Sequence, residues 1–211
     1  TVTGDDSVAL AYRHSPASLG SAVGVNLRVA YYSEVPESIF EKLAEGLSRA
    51  ATTLGVSLMP VPIEYAGENS DIDTIREILN AAHVETDGGA SLQRPEAVIE
   101  QVGKCRVVVT GSYHGGVFAL SQGIPVVGLF RSAYYEQKFK GLADMFGGGC
   151  ETLRVDRPDL GRAVAEAVQN AWQAAPELRS QLLEAAEHQG ERADAIYERC
   201  ADHFDVRGAP A

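Results

Sequence analysis

The sequence predicts an α/β protein built on a doubly wound parallel sheet. Three observations carry that expectation. Strand-like apolar segments alternate with stretches of helical spacing, the pattern of repeated β-α units. The segments around VVVT (107–110) and IPVVGLF (124–130) are nearly continuous apolar runs, as parallel strands covered on both faces should be. The 211 residues, 45% hydrophobic and 22% charged, suffice for one large soluble domain without staples.

The elements follow in order. Residues 1–22 read as a lead-in. VGVNLRVAYY (23–32) is apolar and β-branched, a buried strand with Arg28 late in it. Residues 36–54 carry Ile39, Leu43, Leu47 and Leu54 at helical spacing; Pro36 stands early, where a helix tolerates it, and Gly55 ends the helix. VSLMPVPI (56–63) reads as a second strand, which Pro60 and Pro62 confine to an edge or to its first half. Ser70 or Asp71 caps a helix that runs to about Ala82. After a polar stretch at 83–91 come a short helix at 95–102 and a third strand at 106–110. A helix at 114–122, stopped by Gly123, leads to the fourth strand at 124–130. A helix at 134–146 ends at three glycines, 147–149, and residues 152–155 make a last short strand. From Pro158 the chain reads as helical, with a break expected at Pro176. The resulting division is a lead-in at 1–22, a Rossmann-like α/β unit at 23–157 and C-terminal helices at 158–211.

Charge and cysteine usage bound the function. A net charge of -11 argues against a general nucleic-acid binder, but not against a local basic pocket for a small anion. Cys105, Cys150 and Cys200 are far apart and lack CxxC spacing, so neither a disulfide framework nor a zinc site is expected. Free thiols fit a reducing cytoplasm. No run approaches the ~20 apolar residues a membrane span needs, and the N-terminus lacks the features of a signal peptide. The abrupt start at Thr1, without Met, suggests a fragment of a longer chain.

Ligands of doubly wound sheets bind beyond the carboxyl ends of the strands. Gly111, Ser112, Tyr113 and His114 lie at one such end, and Arg28 at another. Gly111 suits a positive φ where the strand turns. Gly115 and Gly116 open the next helix, and two readings stand: they clear space for an anion at the free N–H groups, or they let helix and sheet pack closely. His114 titrates near neutrality and can give or take a proton there, although a lone histidine is often structural. Arg28 is costly in a buried strand unless it meets an acid or a bound carboxylate or phosphate. Lys138 and Lys140 read as a solvated face or a cation site, and Tyr134 and Tyr135 as pocket lining or packing. Asp71 and Asp73 read as caps and favourable charges at a helix start. His83, His188 and His203 read as surface residues, Trp172 as core, and residues 177–203 as a solvated helix.

The segment TGSYHGGVFALSQGIPVVGLF (110–130), followed by Lys138 in KFKGLADMFG, resembles the signature of the polysaccharide pyruvyl transferase family. TGDDS (3–7) and GVNLR (24–28) resemble further blocks in the same order. The resemblance implies a GT-B-like architecture, of which this chain is the C-terminal half, with the N-terminal domain missing. It implies a pyruvyl (ketal) transferase that moves pyruvate from phosphoenolpyruvate onto two hydroxyls of a polysaccharide or its precursor, without metal or cofactor. It implies His114 as the acid, with Arg28, Asn26, Gly111, Ser112, Tyr113, Gly115, Gly116 and Lys138 around the donor. It also implies a cytoplasmic enzyme, possible at the inner membrane face, with a carbohydrate acceptor as partner. One departure stands out. The family pattern has Arg-aliphatic-His where this chain has Ser112-Tyr113-His114, so Arg131, Lys138 or a residue of the missing domain must supply the charge, or the donor differs. Two alternatives remain open: a nucleotide-sugar glycosyltransferase of GT-B architecture and a non-catalytic carbohydrate- or anion-binding domain. Asp5 and Asp6 read as contacts to sugar hydroxyls or as a turn.

Overall fold

The computed structural model describes residues 5–29, 33–65 and 70–203. The element order is α1 (Ser7–Arg13), β1 (Ala22–Asn26), a 3-10 turn (Glu37–Ile39), α2 (Phe40–Leu54), β2 (Ser57–Pro60), α3 (Asp71–Ala81) and α4 (Pro95–Val102). It continues through β3 (Cys105–Thr110), α5 (Tyr113–Ser121), β4 (Val126–Phe130), α6 (Ala133–Phe146) and β5 (Cys150–Arg154) to α7 (Leu160–His203). The strands form one sheet in the order β2-β1-β3-β4-β5, and every neighbouring pair is parallel. The predicted doubly wound parallel sheet is therefore the observed fold. Its order reverses between β1 and β3, which places a topological switch point where Asn26 pairs with Thr110.

Side-chain alternation along the strands sorts the core into two layers. Val23, Val25, Val107, Val109, Val127 and Leu129 face α2, α3 and the first half of α7. Val108 and Val126 face the other way, against α1, α4, α5, α6 and the middle of α7. Leu43, Leu47, Ile75, Ile78 and Leu79 are wholly buried in the first layer, Ile99, Leu120 and Phe139 in the second. Each such side chain contributes roughly 1.5–3 kcal/mol relative to an exposed position. Helix ends follow local chemistry. The Ser70 hydroxyl accepts from the Ile72 N–H at 3.2 Å, and Gly55 (φ 68°) and Gly147 (φ 70°) take the left-handed conformation that ends α2 and α6.

Several features differ from the sequence expectation. Helix α1 was not predicted; Val8 and Ala11 on it are buried in the second core layer. Strand β1 stops at Asn26, short of Arg28, because its neighbours end there. On one side β3 turns at Gly111, whose N–H donates to the Asn26 carbonyl (3.1 Å); on the other Val61 makes the last bond, to Val25 (2.9 Å), before Pro62. Residues 30–32, the first two residues of TGDDS and the side chain of His203 lie outside the described residues. Strand β2 is an edge strand that ends at Pro60, as its prolines required. Helix α7 runs unbroken through Pro176. A proline there cannot donate to the carbonyl four residues back, and the Arg106 Nε donates to that Trp172 carbonyl instead, at 3.1 Å. The Arg106 guanidinium also lies 4.9 Å from the centre of the Trp172 ring, which is half-buried rather than fully in the core. No helix among the described residues is long and apolar enough to cross a membrane.

Candidate functional site

The switch point is built on a chain of buried polar groups. Thr110, the last residue of β3, has its hydroxyl 2.9 Å from the Asn26 Oδ1, and it accepts from the Ser112 N–H at 2.9 Å. The Asn26 amide donates to Asp71 Oδ2 at 2.8 Å. The same oxygen accepts the N–H groups of Ile63 and Glu64, both at 3.0 Å, while Oδ1 holds the Arg28 guanidinium at 3.2 Å. The Asp71 side chain is 0% exposed. It is thus the hub that ties β1, the loop after β2 and the start of α3 together; of the two candidate caps, Ser70 is the one that caps α3, with Asp71 in its first turn. Arg28 meets the acid partner that was one of its two expected fates, with Glu64 a further 3.8 Å contact. Arg28 nevertheless lines a cavity.

That cavity, of about 450 Å³, opens at the carboxyl ends of β1 and β3. Arg28, Ser112, Tyr113, His114 and Lys138 line it, joined by Ile63, Glu64, Tyr134 and Tyr135. The structure therefore brings together five of the nine site residues expected from sequence. The other four sit behind the wall. Asn26 is fully buried in the hydrogen-bond chain. Gly111 does not adopt a positive φ; a Cβ there would come within 3.0 Å of the Arg28 backbone nitrogen, so its glycine serves close approach of β1. A Cβ on Gly115 would lie 2.5 Å from the Thr110 hydroxyl, and one on Gly116 2.8 Å from Leu142. Both glycines are accounted for by packing, the second of their two readings.

His114 stands on the first turn of α5 with its side chain 51% exposed. Tyr113 meets the ring edge-on at 5.5 Å and Phe118 lies 6.4 Å away. Its Nε2 is 3.4 Å from Asp5 Oδ2. The other Asp5 oxygen accepts from the Ser7 N–H at 2.9 Å and from the Ser7 hydroxyl. The hydrogen-bonded His114 ring, helped by Ser7, holds the Asp5 carboxyl well below the usual carboxylate range. The ring is thereby anchored through Nε2. Ser112 is 6% exposed, and its hydroxyl makes no capping bond. The first helical bond of α5 runs from Gly116 to Ser112, which leaves the N–H groups of residues 113–115 outside the helix ladder.

Lys138 has no carboxylate partner among the described residues. Its ammonium is held by two aromatic faces, 4.7 Å from the Tyr113 ring centre and 4.9 Å from that of Tyr134. Burial pushes the Tyr113 phenol up, so that ring stays neutral. Arg131, the other cation considered for the place of the family arginine, donates to the Glu34 carbonyl at 2.7 Å and does not line the cavity. Lys140 pairs with Glu136 and also stays outside. No three His, Cys, Asp or Glu side chains gather at metal-ligand geometry among the described residues. His83 is exposed, and His188 pairs with Glu191 at the surface. Asp6 accepts the Tyr197 hydroxyl at 2.6 Å.

Sequence reasoning missed the roles of Asp71, Asp5 and Glu64. Asp71 carries an ordinary helix-start pattern, identical in sequence whether the carboxylate faces water or a buried arginine. For Asp5, the DDS run before the Val8/Ala11 spacing was a usable helix-start signal, but nothing local pointed to His114.

A search of curated proteins found no match. Among solved structures, the chain is similar to one described as the glycotransferase of kitacinnamycin, with 19% identity and a TM-score of 0.53. The likeness covers 87% of this chain and 44% of that one, and at such identity it is a likeness of fold. The sequence also matches the polysaccharide pyruvyl transferase family over residues 1–130, a span that includes Asp5, Arg28, Asp71 and His114. Covering more than half of the chain, that match shows that the protein belongs to the polysaccharide pyruvyl transferase family.

Proposed function

We propose that the protein transfers pyruvate from phosphoenolpyruvate to two hydroxyls of a sugar in a polysaccharide or its precursor. The observation that carries this reading is the exposed His114 imidazole, anchored on Asp5, in one cavity with Lys138 and Arg28. Phosphoenolpyruvate carries a carboxylate and a phosphate. Lys138, without a carboxylate partner among the described residues, suits one of them. Arg28, the Ser112 hydroxyl and the N–H groups of Tyr113 and His114 suit the other. Lys138 then takes the place of the arginine that Ser112 lacks.

The chemistry needs a proton at the methylene carbon. His114 gives it, the C=C bond becomes a methyl group and the adjacent carbon becomes an oxocarbenium centre. A sugar hydroxyl attacks that carbon and its proton returns to His114. The second hydroxyl then attacks the same carbon, the C–O bond to phosphate breaks, and the leaving phosphate takes up the second hydroxyl proton. The products are a cyclic ketal and inorganic phosphate, and no metal enters the scheme. In this reading the chain is the C-terminal half of a GT-B-like transferase in the cytoplasm, with a second domain as the other wall of the cleft.

The test is thermal stabilisation of the full-length protein by phosphoenolpyruvate, UDP and GDP. Stabilisation by phosphoenolpyruvate, lost in Lys138→Ala, is the expected result. Stabilisation by UDP or GDP alone moves the assignment to a nucleotide-sugar glycosyltransferase, and stabilisation by none to a non-catalytic domain.

A further inference from the structure

The cavity holds more room and a different chemistry than a three-carbon phosphate requires. A volume of about 450 Å³ is in the range that encloses drug-sized ligands. Its mouth also carries an aromatic ring that the fold does not bury. Tyr134 and Tyr197 are the exposed large hydrophobic side chains among the described residues, 56% and 57% exposed. The Tyr197 hydroxyl is bound by Asp6. The Tyr134 hydroxyl has no protein partner among the described residues, and its ring stands on the cavity wall.

That ring is held in place. Tyr134 lies in the first turn of α6, which Ser132 caps by accepting the Tyr135 N–H. The Tyr135 ring meets it edge-on, with centres 5.5 Å apart and planes at 87°. Tyr135 is itself buried, 6.2 Å from the buried Phe139. The Lys138 ammonium, 4.9 Å from the Tyr134 ring centre, restrains it further. A fixed, exposed aromatic surface with a free phenol at its tip binds a ligand with an apolar face and a polar edge, at little cost in side-chain order. A pyranose has that form: C–H groups on one face and hydroxyls around the rim. Glu64, a carboxylate on the same cavity wall, matches the hydroxyls.

We propose that Tyr134 is the stacking platform for the acceptor sugar, with Glu64 receiving hydroxyls at its rim. This rests on the reading above that the acceptor is a carbohydrate. It divides the cavity between Lys138, Arg28 and His114 for the anionic donor and Tyr134 for the sugar ring.

The test is saturation-transfer NMR on the full-length protein with methyl β-galactoside, methyl β-mannoside and methyl β-N-acetylglucosaminide, alongside phosphoenolpyruvate titrations. Because Tyr134 is exposed, its variants should fold. Tyr134→Ala should weaken at least one glycoside by about fivefold or more while Tyr134→Phe retains it, and phosphoenolpyruvate affinity should hold in Tyr134→Phe, which keeps the aromatic face against Lys138. Glycoside binding equal in wild type and Tyr134→Ala overturns the proposal, as does wild type that binds none of the three. A loss confined to phosphoenolpyruvate, UDP or GDP overturns it too, since Tyr134 would then serve Lys138 or a nucleotide base. Tyr134-dependent glycoside binding without phosphoenolpyruvate binding supports the platform and sinks the pyruvyl donor.

Discussion

At the scale of single residues, the site depends on two carboxylates and on the guanidinium and imidazole they face. Asp71 is a buried anion with donors on both oxygens, and removing one partner of a buried, hydrogen-bonded charge pair costs about 3–5 kcal/mol. Asp71→Ala should therefore lower the free energy of unfolding by about that amount in urea titrations, far more than Asp73→Ala, whose partner Arg76 is exposed. Asp5 acts at the surface, and its effect is legible in pH. Its folded-state pKa is depressed, so its contribution is complete above the ordinary carboxylate range and is lost as pH falls from there toward the folded value. The difference in Tm between wild type and Asp5→Asn should shrink as pH falls below about 4. His114→Ala should leave the fold intact, because the side chain is half exposed, and lower turnover by about 10²–10⁴-fold. In the sequence, His114 and Arg28 stood out by their places at strand ends, and Lys138 by the resemblance to the family signature. Asp71 and Asp5 were not visible as partners. A carboxylate at a helix start is ordinary, and only tertiary proximity shows what it faces.

At the scale of elements, the local signals worked where they were local. Gly55, Gly123, Ser70 and the apolar runs of β3 and β4 marked their elements because turn chemistry and periodicity act over a few residues. Helix α1 was hidden by its length: Ser7–Arg13 is too short for a full period, and only its buried contact with α5 and α7 holds it. The Pro176 break failed for the opposite reason. The lost helical donor is replaced from a distant strand by Arg106, which no window along α7 contains. The two sites should therefore be coupled. Pro176→Ala should stabilise the protein by about 1–2 kcal/mol, less than the ~3 kcal/mol of an uncompensated helix proline. Arg106→Ala should cost less in the Pro176→Ala background than in wild type, as a double-mutant cycle will measure. Gly115→Ala brings a methyl group against the Thr110 hydroxyl and should cost about 1–3 kcal/mol, which also tests the packing account of that glycine.

At the scale of the whole molecule, an acidic chain of net charge -11 gathers Arg28, Lys138 and an imidazole at the switch point of its sheet. The sheet order puts the ends of β1 and β3 side by side, and the Asn26–Thr110–Asp71 chain fixes their relative height. Helix α1 then brings Asp5 to the ring that α5 presents. Fold class follows from alternation and apolar runs, which is why it was readable in advance; the strand order β2-β1-β3-β4-β5 needed the coordinates. The charge pattern of the cavity follows from which acids reach which cations, and that needed coordinates. The measurement that tests the account most directly is turnover of phosphoenolpyruvate by the full-length protein in D₂O with a glycan acceptor, followed by ³¹P and ¹H NMR. The account predicts a ketal methyl group carrying a single deuterium, phosphate released in equal amount, and loss of both in His114→Ala with phosphoenolpyruvate binding retained. Undiminished turnover in His114→Ala, or phosphoenolpyruvate left untouched while a nucleotide sugar is consumed, would contradict it.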